Sequence, residues 1–276
     1  MTVHLLPGLT TAADLAGKVV VVVDVLRATT TIIHALAAGA LEVIPCLEVE
    51  DARRTASGFA PGRVVLGGER GGLPIEGFDL GNSPEEYSPR VVADKTVVLT
   101  TTNGTKALEI CRTARRVLVA GFVNAAAVAE AIRDESAVDI LCAGTRGRIS
   151  RDDVLAAGCL AQRWLHQRGR GTQQPSPATA VAMNDSARMA LDAWELLTSA
   201  QSPGPSQRQP VDPAALAAQL RQTQGGRDLS EIGLSGDIDV AARIDRFSIV
   251  GRLDSQRGSI VAADRGGPWT TRPAGR

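Results

Sequence analysis

The chain has 276 residues, which is enough for one large α/β domain or for two small ones. Its 30 basic and 30 acidic side chains cancel, so no excess of charge marks the protein as a binder of nucleic acid or of an anionic membrane surface. Aromatic residues make up only 3% of the chain. The core must therefore consist of valine, leucine, isoleucine and alanine, which is typical of parallel strands covered by helices.

Three segments share one pattern, in which a short β-branched run is followed by a polar loop and then by a helical stretch. Each apolar run is too short for a helix and too continuously apolar for a half-exposed strand, so it predicts a buried parallel strand with a crossover helix. The predicted strand, loop and helix of the three units are Val19–Val23, Asp24–Thr31 and Ile32–Ala38; Thr96–Leu99, Thr100–Thr105 and Lys106–Arg112; and Val138–Cys142, Ala143–Ser150 and Arg151–Arg168. Further strands are predicted at Leu41–Pro45, Arg63–Leu66 and Arg116–Ala120. This pattern predicts an open α/β sheet with its ligand site outside the carboxyl ends of the strands.

The rest of the chain alternates between glycine-rich, proline-rich and helical stretches. A long glycine-rich segment runs from Gly67 to Pro84, and long ordered loops of this kind tend to be functional. Helices are predicted over Ala178–Ala200 and Asp212–Gln224, surface loops over Gly169–Pro177 and Ser202–Pro210, and a last strand over Phe247–Val250 after the segment Ile238–Arg246. We predict one α/β domain over 1–262, or two closely packed lobes at about 1–168 and 178–262, with a disordered tail over 263–276.

The loop after the first predicted strand contains groups that suit a metal ion and a phosphate. Asp24 ends the buried strand, where a carboxylate is well placed to bind a metal ion. Arg27 can donate to two phosphate oxygens at once. Thr29, Thr30 and the free amides at the start of the helix can bind an anion. The simpler alternative, for this loop alone, is an aspartate and threonines that cap the helix.

Two further loops offer similar chemistry. The stretch Thr100–Thr105 places an Asn-Gly turn at an equivalent strand end, and two such loops favour a shared phosphate site. Glu69 and Arg70 supply a carboxylate and a guanidinium, and the turn around Asn82 and Ser83 can approach a ligand closely. The alternatives are simple capping for the threonines and solvated surface charge for Glu69 and Arg70.

The loop after the third predicted strand matches a known catalytic spacing. Cys142 and Arg148 are arranged as C-x5-R between a strand and a helix, as in cysteine-dependent phosphatases. We favour a buried structural cysteine in a loop that binds anions through Gly144 and its backbone amides. Ser150 is a predicted N-cap with Asp153 at the capping-box distance, and Asp152 or Asp153 can alternatively face a metal ion.

Several other mechanisms lack their motifs. Haloacid dehalogenase-type phosphatases need a second aspartate two positions after the first, where this chain has Leu26. The sequence contains no GxxxxGK[ST] loop and no GxGxxG after a strand, and its three histidines are scattered. The four cysteines form no CxxC pair, and no stretch resembles a signal peptide or a membrane span. These features predict a cytoplasmic protein with reduced thiols, without structural zinc and without a membrane partner.

Taken in order, five motifs over roughly residues 20 to 250 resemble those of the 2-phosphosulfolactate phosphatases. They are Val23–Ile32; Gly68–Arg70 with Gly77–Pro84; Thr101–Thr105; Cys142–Gly144 with Gly147, Ser150 and Asp152–Asp153; and Gly226–Leu229 with Gly236–Ile238 and Asp245. The resemblance implies a three-layer α/β/α fold. It also implies a Mg²⁺-dependent acid phosphatase that hydrolyses 2-phospho-3-sulfolactate to 3-sulfolactate and phosphate, a step towards coenzyme M. The family loop after Glu69 and Arg70 often carries a lysine, whereas this chain has Gly71-Gly72-Leu73-Pro74-Ile75-Glu76 at that place.

With this resemblance, each candidate residue receives a predicted role. Asp24 and Glu69 are the predicted Mg²⁺ ligands, with Asp79, Asp152 or Asp237 as a third. Arg27 and Arg70 complete the predicted catalytic set, because they can neutralise charge on the phosphoryl oxygens. The predicted substrate-binding residues are Thr29, Thr30, Asn82, Ser83, Thr101, Thr102, Asn103, Gly104, Thr105 and Gly144.

Three alternatives to this assignment stay open. They are a thiolate mechanism through Cys142 and Arg148, a different small anionic phosphoester as substrate, and a non-catalytic protein that only binds the anion. The expected partners are the small anionic phosphoester and, as an open possibility, further copies of the chain in a homo-oligomer.

Overall fold

The computed structural model describes residues 1–169, 182–199 and 211–263, and within these ranges ten strands form one mixed sheet. The strands are β1 (Thr2–His4), β2 (Val19–Val23), β3 (Glu42–Cys46), β4 (Val64–Arg70), β5 (Leu73–Pro74), β6 (Thr96–Thr100), β7 (Arg116–Ala120), β8 (Asp139–Cys142), β9 (Val250–Asp254) and β10 (Ser259–Ala263). The helices are α1 (Ala12–Leu15), α2 (Ala28–Ala37), α3 (Val49–Ser57), α4 (Pro89–Val92), α5 (Gly104–Ile110), α6 (Ala125–Ala131), α7 (Arg151–Gly169), α8 (Asp185–Ser199), α9 (Pro213–Arg221), α10 (Gln224–Glu231) and α11 (Ser235–Ala241).

The order of strands across the sheet is β1-β8-β2-β7-β9-β10-β3-β6-β4-β5. Strands β1, β8, β2 and β7 form one parallel group, and β3, β6 and β4 form another. The antiparallel hairpin β9–β10 lies between the two groups and pairs antiparallel with both β7 and β3. Three successive reversals of direction therefore make the second parallel group run opposite to the first.

The side chains of β2 show how the layers are built. Its five valines are all buried, and they alternate between two hydrophobic clusters on opposite faces of the sheet, as the two-residue period of a strand requires. Val19, Val21 and Val23 pack with residues of α7 and α8, whereas Val20 and Val22 pack with residues of α2 and α5. In the second parallel group, α3 covers the face opposite α2 and α5. The predicted three-layer α/β/α architecture is confirmed.

Most predicted strands are found, with small differences at their ends. The predicted bounds Val19–Val23 and Arg116–Ala120 are those of β2 and β7. Helix α2 starts at Ala28 rather than at the predicted Ile32, and α5 starts at Gly104 rather than at Lys106. Both helices begin earlier because loop threonines bond locally to the backbone: Thr29 Oγ1 donates to the carbonyl of Asp24, for example.

The end of the chain differs more from the prediction. The expected strand Phe247–Val250 is wrong; β9 starts only at Val250, and a second strand, β10, extends to Ala263, where the tail was expected to begin. The predicted segment Ile238–Arg246 falls largely in α11 and the turn after it. The predicted loops at 169–177 and 202–210 and the remainder of the tail lie essentially outside the described residues. In the described ranges, no helix is long and apolar enough to cross a membrane.

Candidate active site

A cleft opens where the loops after β2, β4, β6 and β8 meet helix α10. The residues that line it are Asp24, Leu26, Arg27, Glu69, Gly71, Gly72, Asn82, Thr101, Thr102, Asn103, Thr145, Arg146, Gly225, Asp228, Leu229 and Ile232. The cleft lies outside the carboxyl ends of parallel strands, where the ligand site was predicted, although these ends belong to two groups of opposite direction.

The loops after β2 and β6 meet closely although these strands are not neighbours in the sheet. In a flat sheet β2 and β6, five positions apart, would be separated by about 24 Å. Instead, a Cβ atom placed on Gly104 after β6 would lie 2.8 Å from Asp24 Oδ2 and 2.4 Å from Ala28 Cβ. Only glycine allows α5 to begin this close to the β2 loop.

Asp24 is the most buried carboxylate that lines the cleft, with 5% of its surface exposed. Its Oδ1 accepts a hydrogen bond of 3.2 Å from the amide of Ala28. Burial raises the pKa of Asp24 to about 7. The hydrogen bond from Ala28 lowers this pKa, whereas the negative charges of Asp152 and Glu69 raise it as burial does. Removal of this carboxylate from water is therefore costly unless a cation or a proton is present.

Asp152 and Asp153 lie directly beneath the cleft at the start of α7. Both are buried, and burial raises the pKa of each. Asp152 accepts a hydrogen bond from Ser150 Oγ. Asp153 accepts from the amides of Val25 (2.8 Å) and Gly144 (2.9 Å), so it ties α7 to the loops after β2 and β8 instead of reaching back as the predicted capping box required.

Arg27 is fixed at the cleft wall by two partners. One terminal nitrogen donates to Asp237 Oδ2 at 2.7 Å and the other donates to the carbonyl of Gly72 at 2.8 Å. The second oxygen of Asp237 accepts from Ser83 Oγ. Arg27 is only 4% exposed, yet it lines the cleft, so its guanidinium is held at the place where an anion would bind. Asp237 and Ser83 thus support Arg27 and do not line the cleft.

Glu69 holds two cleft loops together. Its carboxylate accepts from the amide of Thr102 (2.7 Å), the hydroxyl of Thr102 (3.1 Å) and the amide of Gly72 (2.7 Å). The loops after β4 and β6 are therefore joined through one buried carboxylate. Its oxygens are already occupied by these donors, which suits a positioning role better than a metal-binding one.

The predicted threonines divide into two groups. Thr29 and Thr30 are fully buried and donate to carbonyls of the β2 loop and of Ala120, so they shape the loop from behind and do not line the cleft. Thr101 and Thr102 do line it. Thr101 Oγ1 accepts from the amide of Thr105 at 3.2 Å, which leaves its hydroxyl proton available to an anion.

Other predicted residues are placed away from the cleft. Arg70 donates to the carbonyls of Glu69 and Leu47 and to Thr100 Oγ1, so its guanidinium braces strand ends. Asp79 is exposed and accepts from the amide of Leu66. Gly144 has a φ of +71°, and a Cβ atom placed on it would lie 2.5 Å from the carbonyl oxygen of Arg148. Glycine at this position therefore lets the backbone of Arg148 pack closely against it.

The geometry does not fit the thiolate alternative. Cys142 is fully buried in the hydrophobic cluster beneath α7, and burial raises the pKa of its thiol well above the usual range. Arg148 is exposed and does not line the cleft. The C-x5-R spacing therefore arises from a strand followed by a surface turn, and the favoured structural interpretation of Cys142 agrees with its placement.

The outer wall of the cleft contains charged residues that the sequence did not single out. Arg146 and Asp228 both line the cleft and form an ion pair of 3.2 Å. Asp228 was visible only as part of a polar motif, and Arg146 only as a residue inside the C-x5-R stretch. Helix α10 supplies this wall; the motif Gly226–Leu229 is thus helical, and its residues reach the cleft from beyond the predicted strand ends.

The predicted carboxylates do not form one metal site. Among the residues that the structure describes, no group of three or more His, Cys, Asp or Glu side chains is placed to hold a metal ion. Asn82 offers a different ligand: it is buried, it lines the cleft with Asp24, and its Oδ1 has no hydrogen-bond partner in the described ranges. Magnesium is commonly bound by one or two protein oxygens together with waters and substrate phosphate. Asp24 and Asn82 fit that kind of site.

Comparison with known proteins gives consistent matches. A family model described as 2-phosphosulpholactate phosphatase matches residues 4–256. A relative from Caldanaerobacter subterraneus, named probable 2-phosphosulfolactate phosphatase, is 36% identical over 241 residues, which cover 87% of this chain and 89% of the relative. A protein of the same name from Deinococcus radiodurans is 40% identical over 239 residues, or 85% of this chain and 87% of its own. Another, from Clostridium botulinum, is 43% identical over 152 residues, or 55% and 64%.

Proposed function

The chain belongs to the 2-phosphosulpholactate phosphatase family, and we propose that it hydrolyses 2-phosphosulfolactate to sulfolactate and inorganic phosphate. The observation that carries this proposal is the convergence of the motif residues on one cleft. Residues as far apart in sequence as Asp24 and Asp228 line it, together with Arg27, Glu69 and Thr101. A buried carboxylate, a fixed guanidinium and hydroxyl donors around one small space suit the transfer of a phosphoryl group to water.

Each residue of the inner wall has a role in this proposal. Arg27 contacts the non-bridging phosphoryl oxygens and stabilises the charge that spreads over them in the transition state. The free hydroxyl proton of Thr101 is donated to the same group. Glu69 positions Thr102 and Gly72 and so keeps the two loops at a fixed separation. The hydrogen bond from Arg27 to the carbonyl of Gly72 then sets the guanidinium relative to both loops.

We also propose that Asp24 and Asn82 Oδ1 hold Mg²⁺. The support is the raised pKa of Asp24, which marks a carboxylate that a cation would stabilise, and the unpartnered oxygen of Asn82 in the same cleft. When bound, Mg²⁺ would neutralise phosphate charge and polarise the phosphoryl group. Asp152 would then act from beneath, by adding negative potential to the Asp24 carboxylate.

The test is release of phosphate from 2-phosphosulfolactate, 2-phospholactate and p-nitrophenyl phosphate, each with Mg²⁺ and with EDTA. We expect turnover that depends on Mg²⁺ and is fastest on the sulfonated substrate. Treatment with a thiol-alkylating reagent should leave the rate unchanged, because Cys142 is buried. Absence of turnover on all three compounds would contradict the proposed hydrolysis and favour an anion-binding protein. Full activity in EDTA would contradict the proposed metal site but not the proposed hydrolysis.

The place of action and the assembly state complete the proposal. We propose a cytoplasmic enzyme, supported by the four cysteines, which are all free and buried. A homo-oligomer is compatible with this proposal, and light scattering of the purified protein measures it directly.

A further inference from the structure

The charges of the cleft are unevenly distributed over its two walls. Among the cleft-lining residues that the structure describes, the cationic side chains are Arg27 and Arg146, and the anionic ones are Asp24, Glu69 and Asp228. Both terminal nitrogens of Arg27 already donate to protein acceptors, and its guanidinium is buried. A substrate with anionic groups besides its phosphate therefore needs a second cation, and Arg146 is the cation on the outer wall.

The backbone of Arg146 is held in place although its side chain is exposed. Thr145 and Arg148 exchange two backbone hydrogen bonds, of 2.9 and 3.0 Å, and close a tight turn with Arg146 and Gly147 at its tip. Arg146 takes a φ of +53°, which is uncommon for a residue with a side chain. Its amide donates to Asn103 Oδ1 at 3.2 Å, and Asn103 also lines the cleft. The turn is thus tied to the loop after β6.

The guanidinium of Arg146 is accessible and has an exchangeable partner. It pairs with Asp228 at 3.2 Å, and the two side chains are 63% and 19% exposed. An ion pair with one largely exposed partner contributes little to stability, because water solvates the guanidinium and screens its attraction to Asp228. A ligand anion can therefore replace Asp228 at small cost. Arg146 also offers several N–H donors in a planar fork, which matches the oxygens of a sulfonate or a carboxylate.

We propose that Arg146 is a specificity-determining residue that binds the sulfonate of the substrate and exchanges Asp228 for it on binding. This inference rests on the proposed hydrolysis of a sulfonated phosphate monoester. The phosphate lies at the inner wall beside Asp24 and Arg27, and the sulfonate, one carbon removed from the ester carbon, extends towards α10. Asp228 keeps Arg146 directed into the cleft when the site is empty.

The experiment compares Arg146→Ala with Arg148→Ala, which removes an exposed arginine two residues away in the same turn but off the cleft. Three substrates separate the anionic groups: 2-phosphosulfolactate, 2-phospholactate, which lacks the sulfonate, and O-phosphoisethionate, which keeps the sulfonate and lacks the carboxylate. We expect Arg146→Ala to lower kcat/KM about 10- to 100-fold for both sulfonated substrates, as for loss of a charged hydrogen bond. For 2-phospholactate we expect a change of less than about 3-fold, within the range of a screened surface charge. Arg148→Ala should change none of the three.

The outcomes separate this inference from the proposed function. If the wild-type protein turns over the sulfonated substrate and Arg146→Ala lowers all three rates equally, or lowers only those of the carboxylated pair, the assignment of Arg146 to the sulfonate is wrong. If the wild-type protein turns over nothing, the proposed hydrolysis fails, and calorimetric titration with 3-sulfolactate still decides the inference. Weaker binding to Arg146→Ala than to Arg148→Ala would support it, and equal binding would overturn it.

Discussion

Strand β8 has a buried carboxylate, Asp139, at its amino end. Two more, Asp152 and Asp153, lie at the start of α7, and Asp153 contacts the loop that follows the carboxyl end of β8. The pKa of Asp139 is shifted in the opposite direction to the pKa values of Asp152 and Asp153. At the amino end, Asp139 accepts from His4 at 2.8 Å and from Lys18 at 3.0 Å. Burial alone would raise the pKa of Asp139, but these hydrogen bonds and charges together hold it below its ordinary value. Beyond the other end, Asp152 and Asp153 lie near Asp24. Burial raises the pKa of all three, and repulsion from neighbouring carboxylates adds to the shift of Asp24 and of Asp153.

The two ends of β8 therefore differ in role: the amino end stabilises the fold, and the carboxyl end faces the cleft. The ion pairs at the amino end lower the free energy of the folded state at neutral pH. The carboxylates at the carboxyl end raise it, and such an arrangement persists where a cation or a ligand is bound. The cleft lies only at the carboxyl end. Mutations at the two ends should therefore have opposite effects on stability and very different effects on catalysis.

The largest effect is expected at the buried arginine of the cleft. Arg27→Ala should lower kcat about 10²- to 10³-fold, because it removes a group that stabilises charge in the transition state. It also leaves Asp237 buried without its cation, at a cost of about 3–5 kcal/mol in the free energy of unfolding. Steady-state kinetics on protein with a native circular dichroism spectrum measure the first effect, and urea denaturation measures the second.

Two further variants make this prediction specific. Asp237→Asn keeps Arg27 but removes its charged support, so activity should fall less than in Arg27→Ala. Arg70→Ala removes an arginine whose hydrogen bonds all go to strand ends, and we expect lower stability with kcat changed less than about 10-fold. A drop of less than a few-fold in a folded Arg27→Ala protein would refute the role of Arg27.

Asp24→Asn should increase stability while lowering activity. The folded-state pKa of about 7 lies above the ordinary value near 4, so between these pH values the folded protein binds more protons than the unfolded chain. Stability therefore falls as pH rises from about 4 to 7, by up to about 4 kcal/mol. Asparagine removes this cost. Urea denaturation in EDTA should show a larger gain of the variant over the wild type at pH 8 than at pH 5; equal gains at both pH values would contradict the assignment.

Magnesium should stabilise the wild-type protein only by binding in the cleft, which lies beyond the carboxyl end of β8. At 100 times its dissociation constant, the ion should add about 2.7 kcal/mol to the free energy of unfolding. Asp24→Asn and Asn82→Ala should each lose this gain, and Asp79→Asn, at an exposed carboxylate off the cleft, should keep it. Melting temperatures with Mg²⁺ and with EDTA report the difference. The same shift in all four proteins would place the ion elsewhere.

The smallest effect is expected at the amino end of β8. Asp139→Asn should lower the free energy of unfolding by about 1 kcal/mol at pH 7, since Lys18 is partly exposed and its attraction is screened. The folded-state pKa of Asp139 is below the unfolded value, so this contribution is present above the unfolded value and is lost as pH falls through the folded one. Wild type and variant should converge in acid, with kcat unchanged at neutral pH. Divergence in acid would contradict the ion-pair account.

Much of the fold could be predicted from local patterns. The continuous valines of β2 and the alternation in β7 specify buried strands, and both were placed correctly. The hairpin β9–β10 was missed because Gly251, Arg252 and Asp254 interrupt the apolar pattern of β9. Its central position is set by long-range pairing with β7 and β3, which a local pattern does not contain.

The candidate site was predictable in part for the same reason. Asp24, Arg27, Glu69 and Asn82 were visible because each follows a predicted strand or lies in a glycine-rich loop, and the structure brings them to one cleft. Arg70, next to Glu69, points elsewhere because successive residues of a strand face opposite sides. The outer wall depends on how α10 packs over the sheet, and the sequence alone does not encode this in any short motif.

The position of the hairpin β9–β10 has a consequence for the order of assembly. The hairpin is made last among the described elements, yet it joins the parallel group that carries Asp24 to the group that carries Glu69 and Thr101. During synthesis, both groups emerge from the ribosome long before the strands that connect them. We therefore expect the sheet between the two halves of the cleft to be completed only when the chain has been made to about Ala263, and a full-strength site to form only then.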